Sequence, residues 1–242
     1  MNKKSRFFAA AAYILCVACI FTGLGCSARA SLSVAQDKSA VLTFKTATGK
    51  TLDGTIRSIT GAEQNALLFD EQAIRSAFSQ TGLSLKELTF PSTTGISLTA
   101  ESADLNRVGK SKLFNLQNSQ TGGKLSVHLT PQTLNELLKA LPEQTADYAD
   151  LLLAPVFTGE KMSADEYVQL IGSMYGSNLQ KELQNERFVF DIEVPGRVTK
   201  ASLTPAASGN IRKTGSSVSA DLSLYKFLAN ADETQLYIEW EN

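Results

Sequence analysis

Apolar residues recur with a period of two over several stretches of the chain, and this period is typical of strands with one buried face. The first stretch begins at Leu32 and includes the β-branched and aromatic run at residues 41–44. Turns are expected at Gly49 and at Asp53-Gly54. LKELTF with GISLTAES, and KLFNLQN with KLSVHLT, then predict two hairpins of an antiparallel sheet.

Helical spacing of apolar residues appears beside these strands. Residues 63–80 show it first, and Gly82 stands where a C-terminal cap belongs. In the middle of the chain Thr130 is an N-cap followed by proline, which predicts a helix ending at Pro142. A further helix is expected over residues 148–153.

Residues 163–183 carry the clearest helical pattern. Ser163, with Glu166 three positions later, matches a capping box. Gly172 and Gly176 interrupt the segment, and each costs about 1 kcal/mol relative to alanine, so either marks close packing or a bend. We predict that one apolar stripe of this helix packs against the sheet that follows. The stripe is Tyr167, Leu170, Ile171, Met174 and Leu179, and the sheet residues are Phe188, Phe190 and Ile192.

The period of two returns at Arg187 and continues to the C-terminus. A Pro-Gly turn at 195–196 is expected to lead into a partner strand over residues 198–203, and residues 217–224 and 235–241 give two more strands. The predicted fold class is α+β: antiparallel strands at both ends, with a mid-chain block of helices packed on one face of the sheet.

The N-terminus has the composition of a targeting segment. Residues 1–6, MNKKSR, are basic, and residues 7–21 contain no charge. This apolar run is shorter than the roughly 20 residues that span a membrane, which favours a cleaved signal peptide over residues 1–25. An uncleaved N-terminal anchor helix is the alternative.

The apolar run ends in TGLGC at Cys26, which resembles the lipobox of bacterial lipoproteins. In that family small residues precede a cysteine that becomes the lipidated N-terminus. Gly25 fits, but Leu24 is one position closer to the cysteine than in most lipoboxes, as in the relaxed boxes of spirochaete-like lipoproteins. The resemblance implies that Cys26 carries the lipid, such as palmitate. Cys19 competes, but cleavage there leaves an apolar start, whereas residues 26–31 are small and polar as a tether should be.

Residues 32–242 are expected to form a single α+β domain. Its last quarter, with FDIEVPGRVTKASL, SVSADLSLYKFL and a closing YIEW, weakly resembles β-rich envelope lipoproteins of unknown function. That resemblance implies a C-terminal sheet and lends no catalytic residues.

Charge and cysteine content argue against several classes of function. The signal segment holds three of the 23 basic residues and no acid, so the mature chain has 20 basic against 24 acidic residues. A mildly acidic domain has no cluster of basic side chains to attract phosphate groups, which argues against a nucleic-acid partner. All three cysteines lie at or before Cys26, so the domain has no cysteine nucleophile or cysteine-based zinc site.

Few residues suggest chemistry. His128, the single histidine, is a candidate general base or metal ligand, but one histidine without cysteine partners favours a strand-end residue instead. No phosphate loop, GxSxG elbow or HExxH helix appears. The closest carboxylate pairs are interpreted as structural. They are Asp147 with Asp150, Asp165 with Glu166, and Asp191 with Glu193.

The sequence therefore predicts a noncatalytic cell-envelope lipoprotein without metal or cofactor, which acts in binding or envelope structure. The membrane is its partner through the lipid anchor on Cys26, and a protein or an apolar ligand held by the helical stripes is a second partner. It is expected at the cell membrane or outer membrane, with the domain in the periplasm or outside the cell. A membrane-tethered hydrolase with an unrecognised active site is the alternative.

Overall fold

The computed structural model describes residues 28–78, 83–108, 113–130 and 154–242. Eleven strands in these ranges form two sheets, with strand orders β3-β4-β2-β1-β7-β10-β9 and β5-β6-β11-β8. The strands of the large sheet are β1 Ala28–Val34, β2 Ala40–Ala47, β3 Ser84–Ser92, β4 Gly95–Ser102, β7 Arg187–Glu193, β9 Gly209–Thr214 and β10 Ser217–Ser223. Those of the small sheet are β5 Phe114–Ser119, β6 Gly122–Leu129, β8 Arg197–Thr204 and β11 Thr234–Glu241.

The helices come from three separate parts of the chain. Among the described residues, two lie between β2 and β3, three between β6 and β7, and a short one joins β10 to β11. They are α1 Lys50–Thr60, α2 Glu71–Phe78, α3 Pro155–Thr158, α4 Ala164–Tyr175, α5 Ser177–Asn185 and α6 Leu224–Leu228.

Alternation along the strands places one face of each sheet in a shared core. In β1 the residues at even positions are buried, and Ala28 and Ala30 are fully inaccessible. In β7 the side chains of Phe188 and Phe190 point inward, with ring centroids 6.2 Å apart. Since both sheets and the helices contribute to one continuous apolar cluster, the described ranges share a single core.

The two predicted hairpins are confirmed as β3–β4 and β5–β6. The strand predicted over residues 41–44 is confirmed within β2. The single antiparallel sheet is wrong in two respects. The strands divide between two sheets, and β1 runs parallel to β7 at the centre of the large one. The helices also do not form a distinct mid-chain block on one face, because α1 and α2 arise before β3.

The predicted tether over residues 26–31 is wrong for its last four residues. The sequence ARASLSV forms β1, which pairs with β2 on one side and β7 on the other. The small residues of this segment suggest a flexible linker. Ala28 and Ala30 are instead buried in the middle of the sheet, where the close packing leaves room only for small side chains. The described fold therefore begins no later than Ala28.

The turn predicted at Asp53-Gly54 is wrong because both residues lie inside α1. Contacts from elsewhere stabilise this helix. The Glu182 carboxylate on α5 accepts the first free backbone N–H groups of α1, at 3.1 and 3.2 Å. Arg57 pairs with Asp53 at 2.6 Å, one turn earlier on the same buried side. Such tertiary contacts override the weak propensity of a glycine-containing segment.

The helix predicted over residues 63–80 is shorter than expected. The side chain of Asp70 accepts the backbone N–H of Ala73 at 3.0 Å, so α2 begins only at Glu71. Gly82, the helices after Thr130 and over residues 148–153, and the pair Asp147 with Asp150 lie outside the described residues.

The capping box at Ser163 and Glu166 is confirmed, but the helix it begins stops at Gly176. That residue has φ of 93°, a left-handed value that favours glycine, and the chain starts again as α5. Tyr167, Ile171 and Leu179 of the predicted stripe are buried in the core, whereas Leu170 is half-buried and Met174 is 47% exposed.

The predicted partner strand after Pro195 exists but pairs elsewhere. The strand β8 joins β11 in the small sheet rather than β7. Gly196 permits the crossing, since a Cβ there would lie 2.2 Å from the backbone oxygen of Glu241. The backbone N–H of Val194 and that of Val198 both donate to the turn between β9 and β10, at 3.0 and 2.8 Å, which links the two sheets.

Candidate functional site

The outer face of the large sheet is lined by short polar side chains that lie in register. One row crosses six strands from β4 to β9: Thr99, Thr43, Ser31, Asp191, Ser219 and Arg212. The next row is Glu101, Val41, Ser33, Glu193, Ser217 and Thr214. Because serine side chains are small, the surface of the sheet is lower at the serines in the middle of these rows than at the larger side chains on either side.

This low region forms a depression, here called the polar groove, with a volume of about 440 Å³. The strands β1, β7, β10 and β9 supply its floor and walls. Its polar side chains are Ser31, Ser33, Asp191, Glu193, Arg212, Thr214, Ser217 and Ser219, and Leu32, Ile192 and Val218 complete the lining.

Charged groups surround the serines of the polar groove. The Arg29 Nε lies 2.6 Å from a carboxylate oxygen of Asp191, which fixes that carboxylate beside Ser31 and Ser219. Glu193 and Arg212 are exposed at the groove's two sides. The groove therefore offers hydrogen-bond donors and acceptors together with both positive and negative charge. This combination suits a polar ligand.

The period of two in β7 predicts that Asp191 and Glu193 lie on its solvent side, and this placement is confirmed. The pair Asp165 and Glu166 lies in the first turn of α4. Hydrogen bonds from the Ser163 side chain and backbone, at 2.7 and 2.9 Å, hold the pKa of Glu166 below its usual range. That carboxylate acts in the capping box.

His128 lies on β6 of the small sheet, away from the strands that form the polar groove. Its Nδ1 is hydrogen-bonded to the carboxylate of Glu233, just before β11, and its backbone N–H donates to Leu113 at 2.8 Å. A general base needs its reacting group within hydrogen-bond reach. Glu233 is hydrogen-bonded to one ring nitrogen, and neither of the predicted carboxylate pairs in the described ranges, Asp165 with Glu166 and Asp191 with Glu193, is hydrogen-bonded to the other.

A second polar cluster was not predicted from the sequence and lies on the small sheet. Lys124 Nζ lies 3.1 Å from Glu239, whose carboxylate also accepts the Tyr237 hydroxyl. Hydrogen bonds from Tyr237 and Lys124 lower the pKa of Glu239, and the bonds to Glu239 raise the pKa of both partners. Lys200 Nζ stands 5.4 Å from the Tyr237 ring centre. A depression of about 410 Å³ borders this cluster, beside Trp240.

No group of three or more His, Cys, Asp or Glu side chains in the described ranges could hold a metal ion. Among the helices of those ranges, none has the length and apolar character needed to cross a bilayer.

Sequence reasoning missed the polar groove for two reasons. Ser31 was assigned to the tether, although the alternation in ARASLSV begins at Ala28 and was available as a signal. Arg212 lies on β9, whose sequence GNIRKT contains one large apolar residue and gives no strand pattern. Only the pairing of β9 with β10 reveals it.

The fold and groove define an α+β domain of two sheets with an open polar surface. No protein family's sequence profile matches the chain, and no curated protein matches it. Among solved structures, the NMR structure of the folded domain of the Mycobacterium tuberculosis protein LppM is similar at a TM-score of 0.37 and 10% identity. The similarity covers 90% of this chain and 91% of that chain. At this score the two folds correspond only loosely.

Proposed function

We propose that this chain is a noncatalytic cell-envelope lipoprotein, anchored by acylated Cys26, that binds a polar ligand in the polar groove. The observation that carries the binding role is the groove itself, since its volume lies in the range of small-molecule sites. The lipobox-like sequence before Cys26 supports the anchor. The apolar ligand expected from the helical stripe is less well supported, because Tyr167, Ile171 and Leu179 pack in the core.

The groove's chemistry favours binding over bond cleavage. The hydroxyl groups of Ser31, Ser33 and Ser219 both donate and accept hydrogen bonds, so they adapt to a hydroxyl- or amide-rich molecule. A serine nucleophile needs an adjacent base. The only histidine of the chain lies on the other sheet, and the Asp191 carboxylate is already engaged by Arg29.

Intact mass spectrometry of the full chain made in a bacterial host tests the anchor. We expect a mass that begins at residue 26 and carries acyl chains, and loss of those chains in Cys26→Ala. Cys19→Ala is the matched control and should keep them. Acyl chains that persist on Cys26→Ala and disappear from Cys19→Ala would move the anchor to residue 19.

Native mass spectrometry of the same detergent-extracted protein tests the groove. We expect a small polar molecule to remain bound to the wild type and to be lost from Ser219→Trp, which fills the groove floor. Thr99→Trp lies in the same row four strands away and should retain the ligand. A wild type without any bound molecule, or equal retention by both variants, would refute the binding role.

A further inference from the structure

One end of the large sheet lies next to the proposed lipid. Here called the anchor end, it is where β1 begins at Ala28 and β7 at Arg187, and where β2 ends at Ala47 beside the start of β4 at Gly95. Ser27 is the single residue between Cys26 and Ala28. Two residues of chain reach at most about 7 Å, so an acylated Cys26 holds Ala28 within that distance.

So short a connection prevents the domain from standing clear of the bilayer. The headgroup region is roughly 5 to 8 Å deep on each side of the hydrocarbon core, which is about the reach of the connection. Ala28 is inaccessible and pairs with Phe188 of β7, and Arg29 beside it pairs with both β2 and β7, so β1 itself adds no flexible length to the connection. A flexible linker of many residues would allow free rotation, whereas a connection of two residues to an acylated Cys26 would keep the anchor end near the membrane surface.

The anchor end carries exposed positive charge. Lys45 and Arg29 are cross-strand neighbours, and the Arg29 side chain is 64% exposed even though it pairs with Asp191. Lys50 is exposed at the start of α1, directly after β2. Within the described ranges neither lysine has a carboxylate at salt-bridge distance. Arg187 adds a fourth cation, paired with Asp221 at 2.8 Å.

The row of outer-face residues farthest from Cys26 has the opposite character. Its two acids are Glu101, which pairs with Lys86 of β3 at 3.1 Å, and Glu193, whereas the row nearest the anchor contains Arg29 and Lys45 with one acid, Asp221. Charge along the strands therefore changes from positive near the lipid to negative away from it. Anionic headgroups attract the first and repel the second.

We propose that the anchor end docks on the anionic headgroups of the membrane that holds Cys26, through Arg29, Lys45, Lys50 and Arg187. This proposal rests on the proposed acylation of Cys26. The strands of the large sheet then stand steeply on the bilayer. Ser31 and Ser33 lie three and five residues along β1, which places the polar groove about 10 to 17 Å above Ala28, open to the aqueous phase.

Dye labelling of the full acylated protein in vesicles tests this orientation. No cysteine follows Cys26, so one introduced cysteine is the only free thiol of the processed chain. Ser92→Cys lies at the anchor end, opposite Gly95, and Ala35→Cys lies at the far end after β1. With a headgroup-bound quencher in phosphatidylglycerol-containing vesicles, we expect the dye at 92 to lose most of its emission and the dye at 35 to lose little.

Charge variants separate headgroup docking from the tether alone. Lys45→Gln with Lys50→Gln, or vesicles of neutral phosphatidylcholine, should reduce the difference between the two dyes. Lys38→Gln with Lys86→Gln removes two charges from the far half of the sheet and should leave it unchanged.

Three results are decisive. A protein whose mass shows no acyl chain refutes the proposed anchor before any dye is read. An acylated protein with equal quenching at both positions refutes the orientation. A quenching difference that is the same in neutral vesicles and in the lysine variant refutes headgroup binding, since the tether alone would then set the orientation.

Discussion

Trp240 and Gly123 face each other across the pairing of β11 with β6. A Cβ at position 123 would lie 2.3 Å from a carbon of the indole ring, so the ring occupies the space that any other residue would need. The indole is 3% exposed. Glycine at position 123 therefore leaves the space in which the Trp240 ring packs.

We predict that Gly123→Ala destabilises the protein by about 1 to 3 kcal/mol, because the ring or the strand must shift. The matched control is Gly54→Ala inside α1, where a new Cβ meets nothing within 4 Å. That change should stabilise the protein by up to about 1 kcal/mol through helix propensity. Urea denaturation measures both, and equal stability of the two variants would contradict the packing described.

The cluster around Glu239 predicts a dependence on pH. Its folded pKa lies below the ordinary value of 4.5, so the stability it contributes is present above pH 4.5 and is lost as pH falls through the folded value. We expect Glu239→Gln to be less stable than the wild type at pH 7, with a difference that shrinks below pH 4.5. Denaturation midpoints over pH 3 to 8 test this, with a variant of the exposed Glu87, Glu87→Gln, measured beside it as the control.

At the scale of elements, helix α4 shows which part of an amphipathic pattern is core. Ile171 is fully buried, but Leu170 is only half-buried and Met174 is exposed. The apolar pattern of the sequence treats all three alike. Because the helix ends at Gly176 rather than continuing to residue 183, the buried face is set by Tyr167, Val168 and Ile171.

We predict that Ile171→Ala costs about 2 to 5 kcal/mol by removing a buried side chain and leaving a cavity. Leu170→Ala should cost about 1 kcal/mol, the ordinary effect of a partly exposed position. Thermal melts of the two variants are the measurement. A larger loss for position 170 than for 171 would mean that the helix presents a different face to the core.

Local patterns predicted the hairpins, the capping box and the inward face of β7, because each depends on residues close together in sequence. What the sequence could not provide depends on distant partners. Helix α1 needs Glu182, which is 130 positions away from Leu52, and β9 contains few apolar residues and is defined by pairing with β10. The polar groove combines residues from four strands, so no single segment marks it.

At the scale of the whole molecule, β1 is the element on which the large sheet depends. It separates β2 from β7 and so connects the two halves of the sheet. Its inner residues Ala28, Ala30, Leu32 and Val34 are all buried. A strand in this position has no solvent edge, and removing part of it leaves two new edges unpaired.

We predict that a chain starting at Ser27 folds with a cooperative melt, whereas a chain starting at Leu32 does not. The shorter chain lacks Ala28 and Ala30 and the ladder hydrogen bonds of four residues at the sheet centre. Circular dichroism with thermal melting distinguishes the two. A cooperative melt of the shorter chain would show that β1 is dispensable.

The parallel pairing of β1 with β7 also sets the order of events during synthesis. Arg29 and Asp191, which lie in neighbouring strands, are 162 positions apart in the chain. At 5 to 20 residues per second, β7 follows β1 after about 10 to 30 s. During that time β1 can pair with β2 alone, and its other edge is an open template for a second chain. We therefore expect the nascent chain to be most prone to aggregation before β7 has emerged, because a second copy can pair with this open edge.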